Sequence, residues 1–282
     1  GFKGCSFNNV KITKTSITES RFYSSSFKSV TFDDVKFTGT NFSNGSLIKT
    51  HFNNSAIRDV KYDSIDLNDV KIVQCEIYNT YINKSILNNV TFDKVNAEKF
   101  KLTNCKINDS VYLETIIKNS KIDECELSNT HFTNVKFENT AIDKVVMNPN
   151  GISVIYNDVD FFDCRIDHSE FNNNEFNNVK FDESGFNNCD FTNSHFFKGN
   201  IGNVNSFSDN YANAHFKQIH IRESSFNDGD MSHVVFDNAE IENCQFKDVN
   251  FEDSSVIDSV EMGCSFSPSF KVEESRERLT IL

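Results

Sequence analysis

Apolar residues recur every five positions along this chain, and that period constrains its fold more than any other feature. If the sequence is divided into fives from Phe2, all 31 central positions of the first run are apolar. The period shifts by one position near residues 148–155 and resumes over residues 156–266, where only Ser206 and Glu261 break it. Because 38% of the chain is apolar, chance would produce the first run with a probability on the order of ten to the minus thirteen.

A second signature lies two residues before each centre. Between Cys5 and Val145 this position is Ser, Thr, Cys, Val or Gly at 27 of 29 places, with Ile65 and Phe100 as exceptions. A helix needs apolar spacings of three and four and a strand needs a spacing of two, so a spacing of five requires a corner after every pentad. Four pentads then close a square coil of 20 residues, and coils stack at roughly 4.8 Å.

This pattern resembles the pentapeptide-repeat family, and the resemblance covers about residues 2–266. It is plainest where five successive centres are Phe22, Phe27, Phe32, Phe37 and Phe42. The resemblance implies an all-β fold, the right-handed quadrilateral parallel β-helix, here with roughly 13 coils. One departure is that Asn and Asp, which the family favours just before the centre, often stand two after it, as at Asn9 and Asp34.

The breaks in the period suggest four segments. Residues 2–147 form a first β-helical run, 148–155 a loop at the phase shift, 156–266 a second run, and 267–282 a tail. Pro149 and Pro268 lie outside the regular pattern, as expected for a residue that cannot donate to a stacked ladder. The loop is either a bulge in one tube or a junction between two, and the tail is either a short capping helix over 270–282 or the start of a following domain.

Charge is distributed unevenly between the two runs. The chain has a net charge of −13, but residues 1–155 carry 19 Lys and Arg against 17 Asp and Glu, whereas 156–282 carry 9 against 24. Positions 20 apart should share a face, which places Glu170, Asp190 and Asp230 in one column and Asp228 with Asp248 in another. Such columns repel nucleic acid and attract a basic or DNA-binding protein partner, although acidity also simply keeps a repetitive β-structure soluble.

Cysteine and histidine do not form a convincing metal site. The cysteines all occupy the small inward position and are interpreted as free thiols, which favours a reducing compartment; they are Cys5, Cys75, Cys105, Cys125, Cys164, Cys189, Cys244 and Cys264. The sequence contains no CxxC motif. His195 and His215 are expected to be neighbours on adjacent coils, where solvated imidazoles are favoured over a metal pair. We therefore expect no cofactor and no bound metal.

Catalysis and nucleic-acid binding are also disfavoured. A straight tube without long inserted loops offers no pocket, so we expect no enzyme and no catalytic residues. A sparse column of Arg21, Lys61, Lys101 and Lys121 is interpreted as solvated lysines and arginine that protect a strand edge. No run of 18 apolar residues is present, so no membrane span is expected.

These observations favour a non-catalytic, rigid β-helical scaffold that binds other proteins. Because the pattern begins at residue 2, we expect a module of a larger bacterial, effector-like protein, located in the bacterial cytoplasm or secreted into a host cell's cytoplasm. The family resemblance also implies an alternative function. Some pentapeptide-repeat proteins mimic duplex DNA, bind DNA gyrase or topoisomerase IV, and confer resistance to quinolones or toxins.

Overall fold

The computed structural model describes residues 1–147, 154–266 and 280–281, and every regular element in those ranges is a β-strand. The chain divides into two compact units, Gly1–Ala141 and Ile142–Leu282. In each unit, a strand pairs in parallel with the strand that occupies the same face one turn away. The pairs Phe22 with Phe42 in the first unit and Phe186 with Ser206 in the second lie 20 residues apart. This parallel β-solenoid with four faces per turn confirms the predicted fold class.

The first unit has four faces, and each face consists of seven strands. The first face comprises Phe2–Lys3, Arg21–Tyr23, Asn41–Ser43, Lys61–Asp63, Tyr81–Asn83, Lys101–Thr103 and Lys121–Asp123. The second comprises Ser6–Asn8, Ser26–Lys28, Ser46–Ile48, Asp66–Asn68, Ile86–Asn88, Lys106–Asn108 and Glu126–Ser128. The third comprises Lys11–Thr13, Thr31–Asp33, His51–Asn53, Lys71–Val73, Thr91–Asp93, Val111–Leu113 and His131–Thr133. The fourth comprises Ser16–Thr18, Lys36–Thr38, Ala56–Arg58, Glu76–Tyr78, Asn96–Glu98, Ile116–Lys118 and Lys136–Glu138.

The second unit is less uniform. Its first face starts with the strand Ala141–Asp143, whose first residue is the last residue of the first unit. The other strands of this face are Arg165–Asp167, Gly185–Asn187, Asn205–Phe207, Ser225–Asn227, Gln245–Lys247 and Ser265–Phe266. Its second face has the strand Val146–Met147 and then single bridging residues at Glu170, Asp190, Asn210, Asp230 and Asn250. Long strands cover the third and fourth faces together at Glu175–Asp182, His195–Gly202 and His215–Arg222. The shorter ones are Ile155–Asn157, Val235–Asp237 and Ser255–Ile257 on the third face, and Asp160–Phe162, Glu240–Glu242, Val260–Met262 and Thr280–Ile281 on the fourth.

The central residue of each pentad points into the solenoid and stacks on the centre one turn away. On the third face of the second unit, the rings of Phe176, Phe196, Phe216 and Phe236 follow one another at centroid distances of 4.6, 4.6 and 5.2 Å, nearly parallel. All four are buried. This register explains why most Phe residues stand at the centres, since each ring there fills the core and contacts its neighbours on both sides.

Every corner within residues 1–147 and 154–266 uses a left-handed backbone conformation two residues after the centre. Among the described residues, 48 other than glycine have a positive φ, and 18 of these are Asn and 10 are Asp. Asn and Asp tolerate this conformation better than other L-residues because their short polar side chains bond to the local backbone. The enrichment of Asn and Asp two after the centre, as at Asn9 and Asp34, therefore reflects the geometry of the corner.

The small inward residues are more than space fillers, because their hydroxyl groups satisfy backbone atoms at the corners. The Ser55 hydroxyl donates to the Asn53 carbonyl at 2.7 Å and accepts the Val35 N–H of the preceding turn at 3.1 Å. The Cys75 thiol donates to the Val73 carbonyl at 3.3 Å. Buried backbone groups need such partners, so Ser, Thr and Cys suit this position better than Ala.

One turn of the second unit is four residues longer than the others. Val146 bridges to Glu170, 24 residues on, whereas Glu170 bridges to Asp190 after 20. The shift of the pentad by one position is thus an insertion of four residues between Met147 and Tyr156. Residues 148–153, including Pro149, lie outside the described residues. The proposed segment boundaries at 148–155 and 267–282 remain predictions.

The predicted tail helix over 270–282 falls largely outside the described residues. Within it, Thr280–Ile281 is a strand that pairs with Val260 and Glu261 of the fourth face. At these two residues the helix prediction is wrong, because the backbone extends the ladder by one more turn.

Candidate functional site

The five carboxylates predicted to contact a partner lie in two adjacent columns of the second unit. Glu170, Asp190, Asn210, Asp230 and Asn250 bridge one another in that order along the second face. The predicted column is therefore real, but amides interrupt it at two of its five positions.

Asp228 and Asp248 occupy the neighbouring corner, two residues before that column. Both have positive φ, 51° and 56°, and the Asp228 N–H donates to the Lys247 carbonyl at 2.9 Å. Both side chains are exposed. We call Glu170, Asp190, Asp228, Asp230 and Asp248 together the acidic corner.

Two residues of the acidic corner also shape the backbone. Asp190 Oδ1 accepts the N–H of Thr192 at 2.9 Å, and Asp230 Oδ1 accepts the N–H of Ser232 at 2.9 Å. These are Asx turns, and they explain why Asn replaces Asp in the same column, since the amide oxygen of Asn210 accepts the Ala212 N–H in the same way. The column thus has a structural role that sequence reasoning did not identify.

The charge of the acidic corner is not neutralised nearby. Within the described residues, none of its five carboxylates has a Lys or Arg nitrogen within 4 Å, unlike Asp237, whose carboxylate lies 2.7 Å from Lys217 Nζ. Residues 154–266 carry 21 Asp and Glu against 6 Lys and Arg, a net charge of −15. The second unit therefore presents uncompensated negative charge on a regular backbone.

A buried polar network lies directly behind the acidic corner. Asp209 occupies the inward position between Ser208 and Asn210 and is 1% exposed. Its Oδ1 accepts the Cys189 N–H at 2.7 Å, and its Oδ2 accepts the Ser206 hydroxyl at 2.6 Å and the Phe207 N–H at 3.1 Å. Burial raises the pKa of Asp209 to about 6, although these hydrogen bonds oppose the shift.

Tyr211 completes the network from the next face. Its hydroxyl lies 3.2 Å from that of Ser206, so the chain of donors runs from Tyr211 through Ser206 to Asp209. Burial and then the neighbouring Asp209 charge raise the pKa of Tyr211. The sequence signal for this network was Ser206 at a central position with Phe207 beside it; Asp209 itself was not singled out.

Two stretches of the sequence match models of known protein families. Residues 1–82 match the family model described as "Pentapeptide repeat region", and residues 211–255 match "Pentapeptide repeats (9 copies)". Both stretches of this chain are therefore pentapeptide-repeat regions. No curated protein matches its sequence.

Solved structures similar to this pentapeptide-repeat chain include three of distant sequence. QnrB1 treated with trypsin, a plasmid-mediated fluoroquinolone resistance protein, is 10% identical with a TM-score of 0.35, over 66% of this chain and 90% of that one. HetL, involved in heterocyst differentiation regulation in the cyanobacterium Nostoc sp. strain PCC 7120, is 9% identical with a TM-score of 0.23, over 92% and 88%. PfbA, a surface adhesin of Streptococcus pneumoniae, is 9% identical with a TM-score of 0.40, over 84% and 85%.

All eight cysteines lie among the described residues, and none of them forms a disulfide there. Burial raises the pKa of the Cys75 thiol to about 11 and that of Cys189 to about 12. A thiol with a raised pKa is a poor nucleophile and a poor metal ligand at neutral pH. Cys75 and Cys189 therefore serve the core.

His195 and His215 pair on adjacent turns as expected, with ring centroids 6.2 Å apart and nearly perpendicular planes. Burial lowers the pKa of His215, although the nearby Asp237 carboxylate opposes this. In the described ranges, no group of three or more His, Cys, Asp or Glu side chains is arranged to hold a metal ion.

The basic column of the first unit is partly engaged by its own neighbours. Its strands place Asn41 and Tyr81 between the predicted residues Arg21, Lys61, Lys101 and Lys121. The Lys101 ammonium lies 5.0 Å from the Tyr81 ring centroid, and that of Lys121 lies 2.9 Å from Asp123 Oδ2. The column is therefore interrupted and partly neutralised.

Two cavities in the first unit do not resemble an active site. One, of about 450 Å³, is lined mainly by apolar centres such as Phe2, Ile12 and Ile17. The other, of about 380 Å³, is an open hollow beside Lys49, His51 and Lys71. Neither brings together a pair of carboxylates. No helix long and apolar enough to cross a bilayer occurs among the described residues.

Proposed function

We propose that this chain is a non-catalytic protein-interaction scaffold whose acidic corner binds a basic partner protein. The observation that carries the proposal is the uncompensated charge of the second unit, −15 over residues 154–266. Clustered charge of one sign steers an oppositely charged partner and raises its association rate. Nucleic acid carries the same sign and is repelled.

The solenoid suits this role because it holds the carboxylates on a fixed lattice. Neighbouring members of each column belong to adjacent turns, roughly 4.8 Å apart, and the backbone hydrogen bonds between turns leave little freedom. For example, the Phe171 N–H donates to the Asp190 carbonyl at 2.6 Å and the Tyr211 N–H to that of Asp230 at 2.7 Å. Preorganised charges lose less entropy on binding than charges on mobile loops.

The test compares two sets of charge removals by calorimetric titration with a hexalysine peptide. One variant combines Asp190→Asn, Asp228→Asn, Asp230→Asn and Asp248→Asn. Its matched control removes four charges from other corners of the same unit with Asp158→Asn, Asp163→Asn, Asp253→Asn and Asp258→Asn, all at positive φ. We expect the first variant to lose affinity and salt dependence more than the control does. Equal losses would refute a localised binding surface.

A second candidate function, mimicry of duplex DNA, is supported by the linear charge density of the second unit. Residues 154–266 form about five and a half turns of 20 residues, which at a strand spacing of about 4.8 Å span roughly 27 Å. A charge of −15 over that length is about one per 1.8 Å, close to the one per 1.7 Å of double-stranded DNA. A target that binds DNA, such as gyrase or topoisomerase IV, would recognise that density.

A gyrase supercoiling assay tests the mimic directly. The purified chain is titrated at low and high salt beside the fourfold acidic-corner variant. Inhibition or quinolone protection that salt and the variant both abolish supports mimicry. An unchanged supercoiling rate at micromolar chain excludes it and leaves the scaffold.

We further propose a bacterial source and a reducing location, either the bacterial cytoplasm or a host cell's cytoplasm. The eight cysteines support this because none of them forms a disulfide in the described residues, and thiols persist where glutathione or thioredoxin keeps them reduced. Fractionation of the native protein and blotting of each compartment test it.

A further inference from the structure

We propose that Phe207 is the aromatic anchor of a docking surface on the second unit, and that it stacks on an arginine side chain of a basic partner segment. The proposal rests on the proposed function, since the acidic corner supplies the charge that attracts such a segment. It adds the residue that gives the contact specificity.

Phe207 is exposed because the usual order of side chains is exchanged at this strand. In the strands Gly185–Asn187 and Ser225–Asn227, which pair on either side, the central residues Phe186 and Phe226 point inward. In the strand between them the centre is Ser206, which is buried, and the phenyl ring belongs to the next residue. Phe207 consequently points outward and is 49% exposed.

The surroundings of Phe207 leave its ring accessible. Its partners in the ladder are Asn187 and Asn227, and the outward residues at the other end of these strands are Gly185, Asn205 and Ser225. Gly185 has no side chain beyond hydrogen, and the other four side chains are shorter than that of Phe. A large exposed aromatic side chain beside a charged surface is a residue type suited to anchor a protein interface.

The acidic corner begins at the next bend of the same turn. Ser208, directly after Phe207, lies in the corner column one turn before Asp228, whose N–H pairs with the carbonyl of Lys247 one turn further on. Asn210 lies between Asp190 and Asp230 in the bridging column. Carboxylates therefore stand one turn away from Phe207 on more than one side.

The buried network acts as the positioning device for this anchor. Asp209 Oδ2 accepts the Phe207 N–H at 3.1 Å and the Ser206 hydroxyl at 2.6 Å, which keeps Ser206 inside and the adjacent ring outside. The carboxylate is 1% exposed, and in the described part of the chain no Lys or Arg nitrogen lies within 4 Å of it. A buried charge without a cation destabilises the fold. Its presence beneath the exposed ring indicates a functional constraint on this strand.

The chemistry favours arginine over lysine in the partner. A guanidinium group stacks flat on an aromatic face and donates in its plane to carboxylates, whereas an ammonium group is a compact, strongly hydrated charge. A ring with carboxylates one turn away offers both interactions to a single arginine. The partner chemistry is thus an arginine-containing basic segment.

The same unit offers a matched control in Phe197. It is also exposed, at 37%, but it lies on the third face, away from the acidic corner, and the ammonium of Lys198 lies 5.0 Å from its ring centroid. Phe207→Ser and Phe197→Ser remove the same ring from the same unit without changing its charge.

The experiment is calorimetric titration of the full chain with hexa-arginine and hexalysine peptides at low salt. We expect the wild type to prefer hexa-arginine by about two- to five-fold, the range for one exposed cation–π contact. Phe207→Ser should abolish that preference and Phe197→Ser should retain it. A preference that survives in Phe207→Ser, or falls equally in both variants, overturns the anchor.

Further variants separate this proposal from the proposed function. If the fourfold acidic-corner variant loses binding while Phe207→Ser binds like wild type, the anchor is refuted and the acidic scaffold stands. If the wild type binds neither peptide, both are refuted. Asp209→Ser should lower the arginine preference and speed hydrogen exchange at the Phe207 amide; slow exchange with an intact preference removes Asp209 from the positioning role.

Discussion

The hydroxyl oxygen of Ser206 lies 2.6 Å from a carboxylate oxygen of Asp209 in the core of the second unit, at a level where the turns on both sides place the rings of Phe186 and Phe226. A polar pair thus replaces an aromatic stack. The stability of this unit should depend on pH for that reason.

We expect Asp209 to make the unit less stable as the pH rises. Its pKa is raised from 3.8 to about 6 on folding, so the folded chain holds a proton that the unfolded chain has lost. The stabilisation is fully present below about pH 4 and lost as the pH rises through 6, a change of about 3 kcal/mol. Urea unfolding of wild type and Asp209→Asn from pH 4 to 7 measures it. A constant difference between the two across that range would contradict the prediction.

The stacked phenyl rings should dominate the stability of the third face. The ring centroid of Phe216 lies 4.6 Å from that of Phe196 and 5.2 Å from that of Phe236, and all three side chains are buried. Phe216→Ala should destabilise the chain by roughly 3–5 kcal/mol, because it opens a cavity that neighbouring turns cannot fill. Denaturant unfolding measures this, with the exposed Phe197→Ala as control. Similar midpoints for the two variants would show that the register is wrong.

The corners should reject β-branched residues. Asn44 has a φ of 51°, whereas Ser43 before it lies in the extended strand Asn41–Ser43. Asn44→Val should cost about 1–2 kcal/mol, because a branched side chain is strained at positive φ. Ser43→Val should be neutral or slightly stabilising. Thermal unfolding of the pair decides, and equal melting temperatures would argue against the left-handed corner.

Replacing Gly199 with a larger residue should destabilise the chain, whereas replacing Gly185 should not. Gly199 has a φ of 134°, and a Cβ there would lie 2.3 Å from the Val179 carbonyl oxygen, whereas a Cβ at Gly185 would meet nothing closer than 3.7 Å. Gly199→Ala should therefore destabilise the chain by roughly 2–4 kcal/mol. Gly185→Ala should be nearly neutral. Urea unfolding gives the midpoint of each variant. A lower midpoint for Gly185→Ala than for Gly199→Ala would disprove the close approach of residue 199 to the Val179 carbonyl.

The pentad alone was sufficient to predict the strands and their stacking. Each turn repeats one local geometry, so a residue's place in the count of five determines whether it faces the core, as for Phe216. The columns of the acidic corner followed from the same count, because positions 20 apart must align in a closed square. Periodicity of this strength leaves few alternative folds.

Features that depend on side-chain chemistry were harder to predict. The left-handed corner produced a visible signal, Asn and Asp two after the centre, but their spacing alone indicates only that polar residues occur there. Phe100 broke the rule for small inward residues, and its volume is matched by the small centre Ala97 in the preceding pentad; both are 2% exposed. Such exchanges of volume need the three-dimensional core. The Asp209 network needed it even more, since the count of five places Asp209 at the inward position two before Tyr211 but does not show which groups would donate hydrogen bonds to a buried carboxylate.

The four extra residues between Met147 and Tyr156 change the length of one turn, and yet Tyr156 pairs with Phe176 at the ordinary interval of 20. Hydrogen bonds between neighbouring turns fix the register of each strand on its face. The register therefore does not depend on the number of residues in a turn. The extra length is taken up between Met147 and Tyr156, within one turn. Insertions and deletions at corners should therefore stay local, and a foreign peptide loop added at such a corner would leave the later turns in register.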